Sequence, residues 1–212
     1  MIFGTVFTGQ IKTQNKQYIE TKMLCIFIPI YVMTTMLVTE VLPSGRQGIE
    51  IKTHPLSIVA AAVRSIITVI FLFSLAAFIA NYDEMTWLLI PTIVSLVLFV
   101  YLWFYFGRTT PYERFVREQF GKTFGIYTMP EWLMEDVCRN YYERAVVAYE
   151  KNYNTRDWKD QLKSTLPGES DFKLRYCITH LESILNNDTE IKTLLRQKYE
   201  ESIQQPQVNA MA

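Results

Sequence analysis

The middle of the chain carries two long apolar runs, Leu56–Ala80 and Trp87–Phe106, joined by the polar connection Asn81–Glu84. The first run holds one charged residue, Arg64, and the second holds none. A helix needs about 20 mostly apolar residues to cross about 30 Å of hydrocarbon. A soluble helix of this length also shows a polar stripe, which both runs lack. The pattern therefore predicts two transmembrane helices. The alternative is a pair of buried helices in a soluble core, which 212 residues seldom enclose completely.

Residues 1–53 are rich in β-branched and aromatic types, which predicts a small β-rich segment. The predicted strands are Ile2–Phe7, Gln17–Lys22, Leu24–Ile28, Tyr31–Glu40 and Gly48–Lys52. A competing interpretation takes the uncharged stretch Met23–Val38 as a third membrane segment. That stretch has about 16 residues, fewer than a span needs, and Pro29 interrupts it. We therefore expect a buried or membrane-apposed β-hairpin there.

The remainder of the chain has apolar residues spaced three and four positions apart, which predicts helices. Pro111–Phe120 is predicted to be a helix that leaves the membrane, with Arg114 and Arg117 on its polar side. Pro130 is expected to open the next helix, where its missing amide proton costs nothing. Asp188 is expected to cap the last helix. The sequence thus predicts a bundle of several helices.

These patterns together predict a membrane protein with an α-helical hairpin of two transmembrane helices, a small β-rich N-terminal segment and an α-helical C-terminal cytoplasmic domain. The expected boundaries are 1–53 for the cytoplasmic or membrane-apposed β-rich segment, 54–107 for the hairpin and 108–203 for the helical domain. Residues 204–212 are polar and predicted to be a disordered tail.

The charges beside the apolar runs predict the orientation of the hairpin. Basic residues such as Arg46 and Lys52 precede the first run, and Arg108 follows the second, whereas the connection carries Asp83 and Glu84 and no basic residue. Lysine and arginine accumulate on the cytoplasmic side of membranes. We therefore expect both termini to be cytoplasmic and the protein to be integral to a bacterial inner or plasma membrane.

Four residues are predicted to lie at the membrane interface. Arg64 is near the cytoplasmic end of the first run, where a long side chain can reach the headgroups. The alternative for Arg64 is a buried functional arginine. Trp87 and Trp103 lie toward the ends of the second run, as in an interfacial aromatic belt. Arg108 completes the set as the first basic residue after the second run.

Composition and motifs exclude several classes of function. The 21 basic and 21 acidic residues give a net charge of zero, so no nucleic-acid partner is predicted. Cys25, Cys138 and Cys177 form no CxxC pair and no cysteine–histidine cluster, so no metal or cofactor is expected. His54 is interpreted as interfacial and His180 as a surface residue.

No catalytic residues are therefore predicted. Cys177 and His180 are three positions apart on one predicted helix, but Cys177 belongs to the apolar stripe, where thiols are inert. The predicted function is that of a non-catalytic, membrane-anchored subunit or adaptor of a membrane complex. Its expected partners are the lipid bilayer and other membrane proteins or further copies of itself, and Trp132, Tyr142 and Glu143 are predicted to bind the partner. The alternatives are an oligomeric channel or transporter subunit and an immunity-type protective membrane protein. Among the classes of function, an enzyme comes third, after a binding protein and a transport protein.

Overall fold

The computed structural model describes residues 3–26, 28–43, 45–81, 86–167, 169 and 171–204. The chain divides into two compact units, Met1–Thr109 and Thr110–Ala212. The predicted β-rich segment and the predicted hairpin thus share the first unit. Residues 82–84 of the expected polar connection lie outside the described residues. The expected disordered tail does too, except for its first residue, which ends the last helix.

The first unit opens with an antiparallel sheet whose strands are paired in chain order. The strands are β1 (Phe3–Gln14), β2 (Gln17–Ile26), β3 (Ile28–Leu42) and β4 (Gly45–Ile51). The β-rich prediction is confirmed, although the expected strands Gln17–Lys22 and Leu24–Ile28 belong largely to the single strand β2. Met23–Val38 forms parts of β2 and β3, which pair with each other. The prediction of a β-hairpin for this stretch is therefore correct, and the alternative of a third membrane segment is wrong.

Two apolar helices follow the sheet: α1 (Pro55–Ala80) and α2 (Leu89–Phe104), with a 3-10 turn at Thr86–Leu88 between them. By length and composition α1 is able to cross a membrane, whereas α2 has 16 residues and is shorter than its apolar run. The helix α2 falls short of the apolar run at both ends. The first residues of the run adopt the tighter 3-10 turn. At the other end, the amides of Tyr105 and Phe106 both donate to the carbonyl of Tyr101, which closes the helix.

The first turns of α1 pack against the sheet. The Ser57 hydroxyl donates to the carbonyl of Gly9 at 2.8 Å and accepts from the Thr21 hydroxyl at 2.8 Å. Gly9 has φ +74°, and a Cβ there would lie 2.2 Å from the Ser57 carbonyl oxygen. Glycine at this position therefore allows both the left-handed backbone and the close approach of α1. Ala60 and Ala61 are fully buried at the same contact.

The second unit is helical, as predicted. Its described elements are α3 (Pro111–Phe124), a 3-10 turn (Pro130–Trp132), α4 (Glu135–Tyr153), α5 (Trp158–Ser164), α6 (Phe172–Leu185) and α7 (Thr189–Gln204). The buried residues of α6 include Tyr176, Cys177, Ile178 and Leu181, and this helix packs against each of the other four. Asp188 caps α7 as expected, because its carboxylate accepts from the amides of Glu190 and Ile191.

Two details of α3 differ from the sequence prediction. The helix runs past Phe120 to Phe124, because Gly121 packs against the Tyr127 ring and the chain turns only at Gly125, where φ is +76°. Arg117 was expected on the polar side of this helix but is fully buried. Its Nε donates to the Tyr127 carbonyl at 2.7 Å, so the turn that ends α3 also supplies the acceptor for this guanidinium.

Candidate functional site

Arg64 lies at the centre of a polar site that joins three chain segments of the first unit. Its Nε donates to the carbonyl of Leu102 at 2.8 Å, Nη1 to that of Gln10 at 2.6 Å and Nη2 to that of Phe106 at 3.1 Å. The planar guanidinium has five donors in a fixed geometry, so it can reach several acceptors at once. We call Arg64 and its three carbonyl partners the arginine clasp. The clasp joins α1, the end of α2 and strand β1.

The clasp changes the interpretation of Arg64. Only 8% of the residue is exposed, and each of its three side-chain nitrogens donates to a main-chain carbonyl of the protein. The snorkelling prediction placed the guanidinium among lipid headgroups, whereas the structure uses it to hold three chain segments together. The depth of Arg64 relative to a bilayer stays a prediction.

An irregular segment of β1 is hydrogen-bonded to the residues that follow α2. The β1–β2 register shifts on both sides of Ile11, and Lys12 has a left-handed φ of +54°. The Lys12 amide donates to the carbonyl of Gly107 at 2.8 Å, and its Nζ donates to that of Arg108 at 3.2 Å. Gly107 is also left-handed, and a Cβ there would lie 2.4 Å from the Ile11 side chain. At this irregularity the amide and the side chain of Lys12 therefore both donate to the short segment Gly107–Arg108.

The contact between α1 and α2 combines a stacked aromatic pair, Phe71 and Phe99 with ring centres 5.5 Å apart, with a cluster of hydroxyl groups. The buried residues of α2 are Thr92 and Ser95. The Ser95 hydroxyl lies 3.0 Å from that of Ser74 on α1, and the Thr92 hydroxyl donates to the Ser74 carbonyl at 3.2 Å. Ser65 and Thr68 donate instead to carbonyls one turn back in α1. The serine and threonine hydroxyls of these two helices are therefore satisfied within the protein.

The outer faces of the same two helices are apolar. Phe73 on α1 is 74% exposed and Ile90 on α2 is 68% exposed. Other exposed residues of the two helices include Leu72, Ile79, Ile93, Val94, Val97 and Phe104. The hairpin therefore has the hydroxyls of Ser74, Thr92 and Ser95 and the Phe71–Phe99 pair between its helices, and a broad apolar surface outside.

The other predicted interface residues are exposed. Arg108 donates from Nε to the Phe104 carbonyl at 3.1 Å, and its guanidinium lies 4.3 Å from the centre of the Tyr105 ring. Trp103 is near the arginine clasp, with the Arg64 guanidinium 5.7 Å from its ring centre. Trp87 lies just before the other end of α2. Arg108 and Trp103 thus share one end of the hairpin, and Trp87 lies at the other.

The three predicted partner-binding residues differ in exposure. Glu143 is exposed on α4. Trp132 is half-buried, with the Arg117 guanidinium 5.5 Å from its ring centre. Tyr142 is half-buried and meets Trp158 edge to face at 6.4 Å. Glu143 is therefore the one of the three whose side chain is fully available on the surface.

The candidates for chemistry are buried in the helical unit. His180 is 2% exposed, so its predicted surface position is wrong, and its Nε2 lies 2.9 Å from Oε1 of Glu131. Cys177 is fully buried, as predicted, and burial raises the pKa of its thiol to about 12. Its Sγ contacts the Thr123 hydroxyl at 3.5 Å. The two residues thus bond to different partners, and the thiol is kept protonated at neutral pH.

His54 is buried and precedes α1, where its carbonyl accepts from the amide of Ser57. In the part of the chain that the structure describes, no group of three or more histidine, cysteine or acidic side chains is arranged to hold a metal ion. Comparisons of the chain with protein-family models, curated proteins and solved structures give no match.

Proposed function

We propose that the chain is an integral membrane protein, anchored by the α1–α2 hairpin, that acts as a non-catalytic subunit or adaptor of a membrane complex. The single observation that carries the anchoring is the broad exposed apolar surface of the hairpin around a helix contact that buries hydroxyl groups. Its buried α2 residues are Thr92 and Ser95, while residues such as Phe73 and Ile90 face outward. A hairpin surrounded by water would bury the phenylalanine and expose the threonine. Lipid favours the arrangement found here.

Hydrogen bonding within the hairpin supports the same conclusion. An unsatisfied polar group costs several kcal/mol in hydrocarbon, because no water is present to pair with it. The hydroxyls of Ser74, Thr92 and Ser95 all have partners inside the hairpin. The two helices therefore need nothing from solvent along this contact.

The dimensions of the hairpin suit a thin span. Beyond Arg64, residues 65–80 of α1 extend about 24 Å at about 1.5 Å per residue, and the 16 residues of α2 extend equally far. The 3-10 turn lengthens the second helix further. The two helices approach the hydrocarbon thickness of about 30 Å.

The contacts of the first unit support an orientation with the sheet on the cytoplasmic side. The clasp joins α1 and the end of α2 to β1, so the sheet and Arg108 lie at the same end of the hairpin. Exposed basic residues of this end include Lys16, Lys52 and Arg108. By the positive-inside rule this end is cytoplasmic.

The binding role is supported by the surroundings of the reactive side chains. The Cys177 thiol is buried and its pKa is raised, and His180 is paired with Glu131 in the helical core. Neither is placed as a nucleophile or base that a substrate reaches. An adaptor needs instead an accessible surface, and the exposed face of α4 around Glu143 provides one in the helical unit.

Cysteine labelling tests the anchoring. A chain with Cys25→Ser as background should remain in the membrane pellet after carbonate extraction. A probe at Asn81→Cys should react with an impermeant maleimide on intact cells, and one at Gln204→Cys only after permeabilisation. Release of the chain into the soluble fraction, or labelling of Gln204→Cys from outside, would contradict the proposed anchor and its orientation.

Purification of the full chain in mild detergent tests the partner role. Glu143→Lys should reduce the amount of co-purifying protein, because it reverses a charge on the exposed face of α4. Glu200→Lys, at an exposed position of α7, is the matched control and should leave that amount unchanged. Equal retention by both variants would move the partner site away from α4.

A further inference from the structure

The end of α2 is surrounded by cationic side chains. Arg64 donates to the carbonyls of Leu102 and Phe106, and Arg108 donates to that of Phe104. Lys12 donates to the carbonyl of Arg108. The last carbonyls of a helix have no intrahelical partner and carry a partial negative charge, which explains why cations gather there. The two full positive charges of Arg64 and Arg108 nevertheless exceed that partial charge.

Carboxylates of the described residues do not neutralise the charges of Arg64 and Arg108. Among the residues that the structure describes, the ion pairs include neither Arg64 nor Arg108. Glu20, a buried acidic residue of the sheet, is paired with Arg46 instead. The end of α2 therefore has an uncompensated positive charge that an external anion would neutralise.

Arg108 is the residue of this group that an anion can reach. It is exposed, whereas Arg64 and Lys12 are buried. Its Nε is used by the Phe104 carbonyl, and the Tyr105 ring supports the guanidinium plane at 4.3 Å. The hydrogen bond through Nε leaves the terminal nitrogens for another acceptor. A planar guanidinium pairs with phosphate oxygens in a bidentate manner.

The aromatic residues beside Arg108 indicate where the anion comes from. The exposed side chains of this end of the hairpin are Tyr101, Trp103, Phe104 and Tyr105. Tyrosine and tryptophan concentrate at the headgroup level of membranes. An anion held next to them is therefore part of the lipid surface.

We propose that Arg108, supported by Tyr105 at the end of α2, binds the phosphate headgroup of an anionic phospholipid. The inference rests on the proposed membrane anchor and adds a lipid class to it. The buried cations Arg64 and Lys12 contribute by offsetting the negative end of α2, which would otherwise repel the phosphate.

Lipid retention by the full chain tests this site. The protein is equilibrated in neutral detergent with equal amounts of phosphatidylglycerol and phosphatidylcholine, washed, and analysed for bound lipid by mass spectrometry. The wild type should retain mainly phosphatidylglycerol, and Arg108→Gln should lower the ratio of the two lipids about fivefold, the factor expected of one basic residue near an anionic surface. Arg108→Lys keeps the charge without the bidentate fork and should give an intermediate ratio.

Arg144→Gln is the matched control, because Arg144 is an exposed arginine on α4 of the other unit. It should retain lipid like the wild type. Equal ratios for wild type and Arg108→Gln, both extracted from membranes, would overturn the lipid site and leave the anchor intact. A chain found in the soluble fraction would overturn the anchor itself. Stabilisation of the chain against heat by inorganic phosphate as strongly as by phosphatidylglycerol would overturn the lipid as the source of the anion.

Discussion

The α1–α2 hairpin and the helical unit from Thr110 onward are both packed helices, but they differ in the polarity of their exposed surfaces. In the helical unit, Leu181 and Ile178 are fully buried while charged residues such as Glu143 are exposed. In the hairpin, Ser95 is buried while Phe73 is exposed. The proposed membrane anchor accounts for this contrast, with water around one region and lipid around the other.

The largest expected effect is in the helical unit. Leu181→Asp places a charge in an apolar core, which costs several kcal/mol and exceeds the stability of many small domains. A fragment covering 110–204 should melt cooperatively by circular dichroism, and the variant should lose that transition. Leu166→Asp is the control, because Leu166 is 53% exposed, and it should change stability by less than about 0.5 kcal/mol. An unchanged transition in Leu181→Asp would contradict the core described here.

An aspartate on the exposed face of the hairpin tests how the surroundings of the two regions differ. Phe73 is more exposed than Leu166, so Phe73→Asp would be equally harmless in water. In lipid, an aspartate near the centre of a helix costs about 2.5–3.5 kcal/mol. The variant should therefore reduce the share of full-length chain that resists carbonate extraction, while Leu166→Asp leaves it unchanged. If the two variants behave alike, the outer face of the hairpin does not contact lipid.

The arginine clasp provides the next test. Arg64→Leu leaves three main-chain carbonyls without their donor, and Arg64→Lys keeps one charge but lacks the planar fork. Thermal unfolding of the full chain in detergent should show a loss of about 1–3 kcal/mol for leucine and a smaller loss for lysine. Full stability of Arg64→Lys would return the residue to the role of a snorkelling side chain.

The smallest expected effect is the pH dependence of the helical unit. Burial raises the pKa of the Glu131 carboxyl, but the hydrogen bond to His180, the charges of His180 and Lys192 and a backbone hydrogen bond together outweigh it, so the pKa is lowered overall. A carboxyl with a lowered folded pKa stabilises the fold above its unfolded value of about 4.3, and this stability is lost as the pH falls through the folded pKa. Because the side chain is 47% exposed, the contribution should stay below about 1 kcal/mol.

Glu131→Gln should therefore flatten the acid limb of a stability–pH curve of the 110–204 fragment between about pH 5 and pH 3. Glu143→Gln, on the exposed face of α4, is the matched control and should leave the limb in place. A limb that persists in Glu131→Gln would assign the acid sensitivity to other carboxyls.

Much of the fold could be predicted because its signals are local. The long apolar run predicted α1 within one residue of its observed start, and the carboxylate of Asp188 marked the start of α7. The buried position of Cys177 followed from helical periodicity. Such features depend on residues that are neighbours in the sequence.

The contacts that could not be predicted join residues far apart in the chain. His180 was assigned to the surface because the acidic residue near it in sequence, Glu182, is two positions away on the helix and does not face it. Its actual partner, Glu131, is 49 positions earlier. Arg117 looked like a polar-face residue until the turn at Gly125 brought the Tyr127 carbonyl against it. The partners of Arg64 are main-chain carbonyls, which every residue has, so no side-chain pattern marks them.

The acceptors of the arginine clasp are synthesised at different times. The Gln10 carbonyl is made before Arg64, whereas the Leu102 carbonyl follows Arg64 by 38 residues. At about 5–20 residues per second, the nascent chain carries the guanidinium for about 2 to 8 s before α2 can supply its acceptors. During that interval the Gln10 carbonyl is the one acceptor of the clasp that has already been synthesised. A chain truncated before Leu102 should therefore be captured more readily by chaperones and proteases of the membrane than one that reaches Phe106.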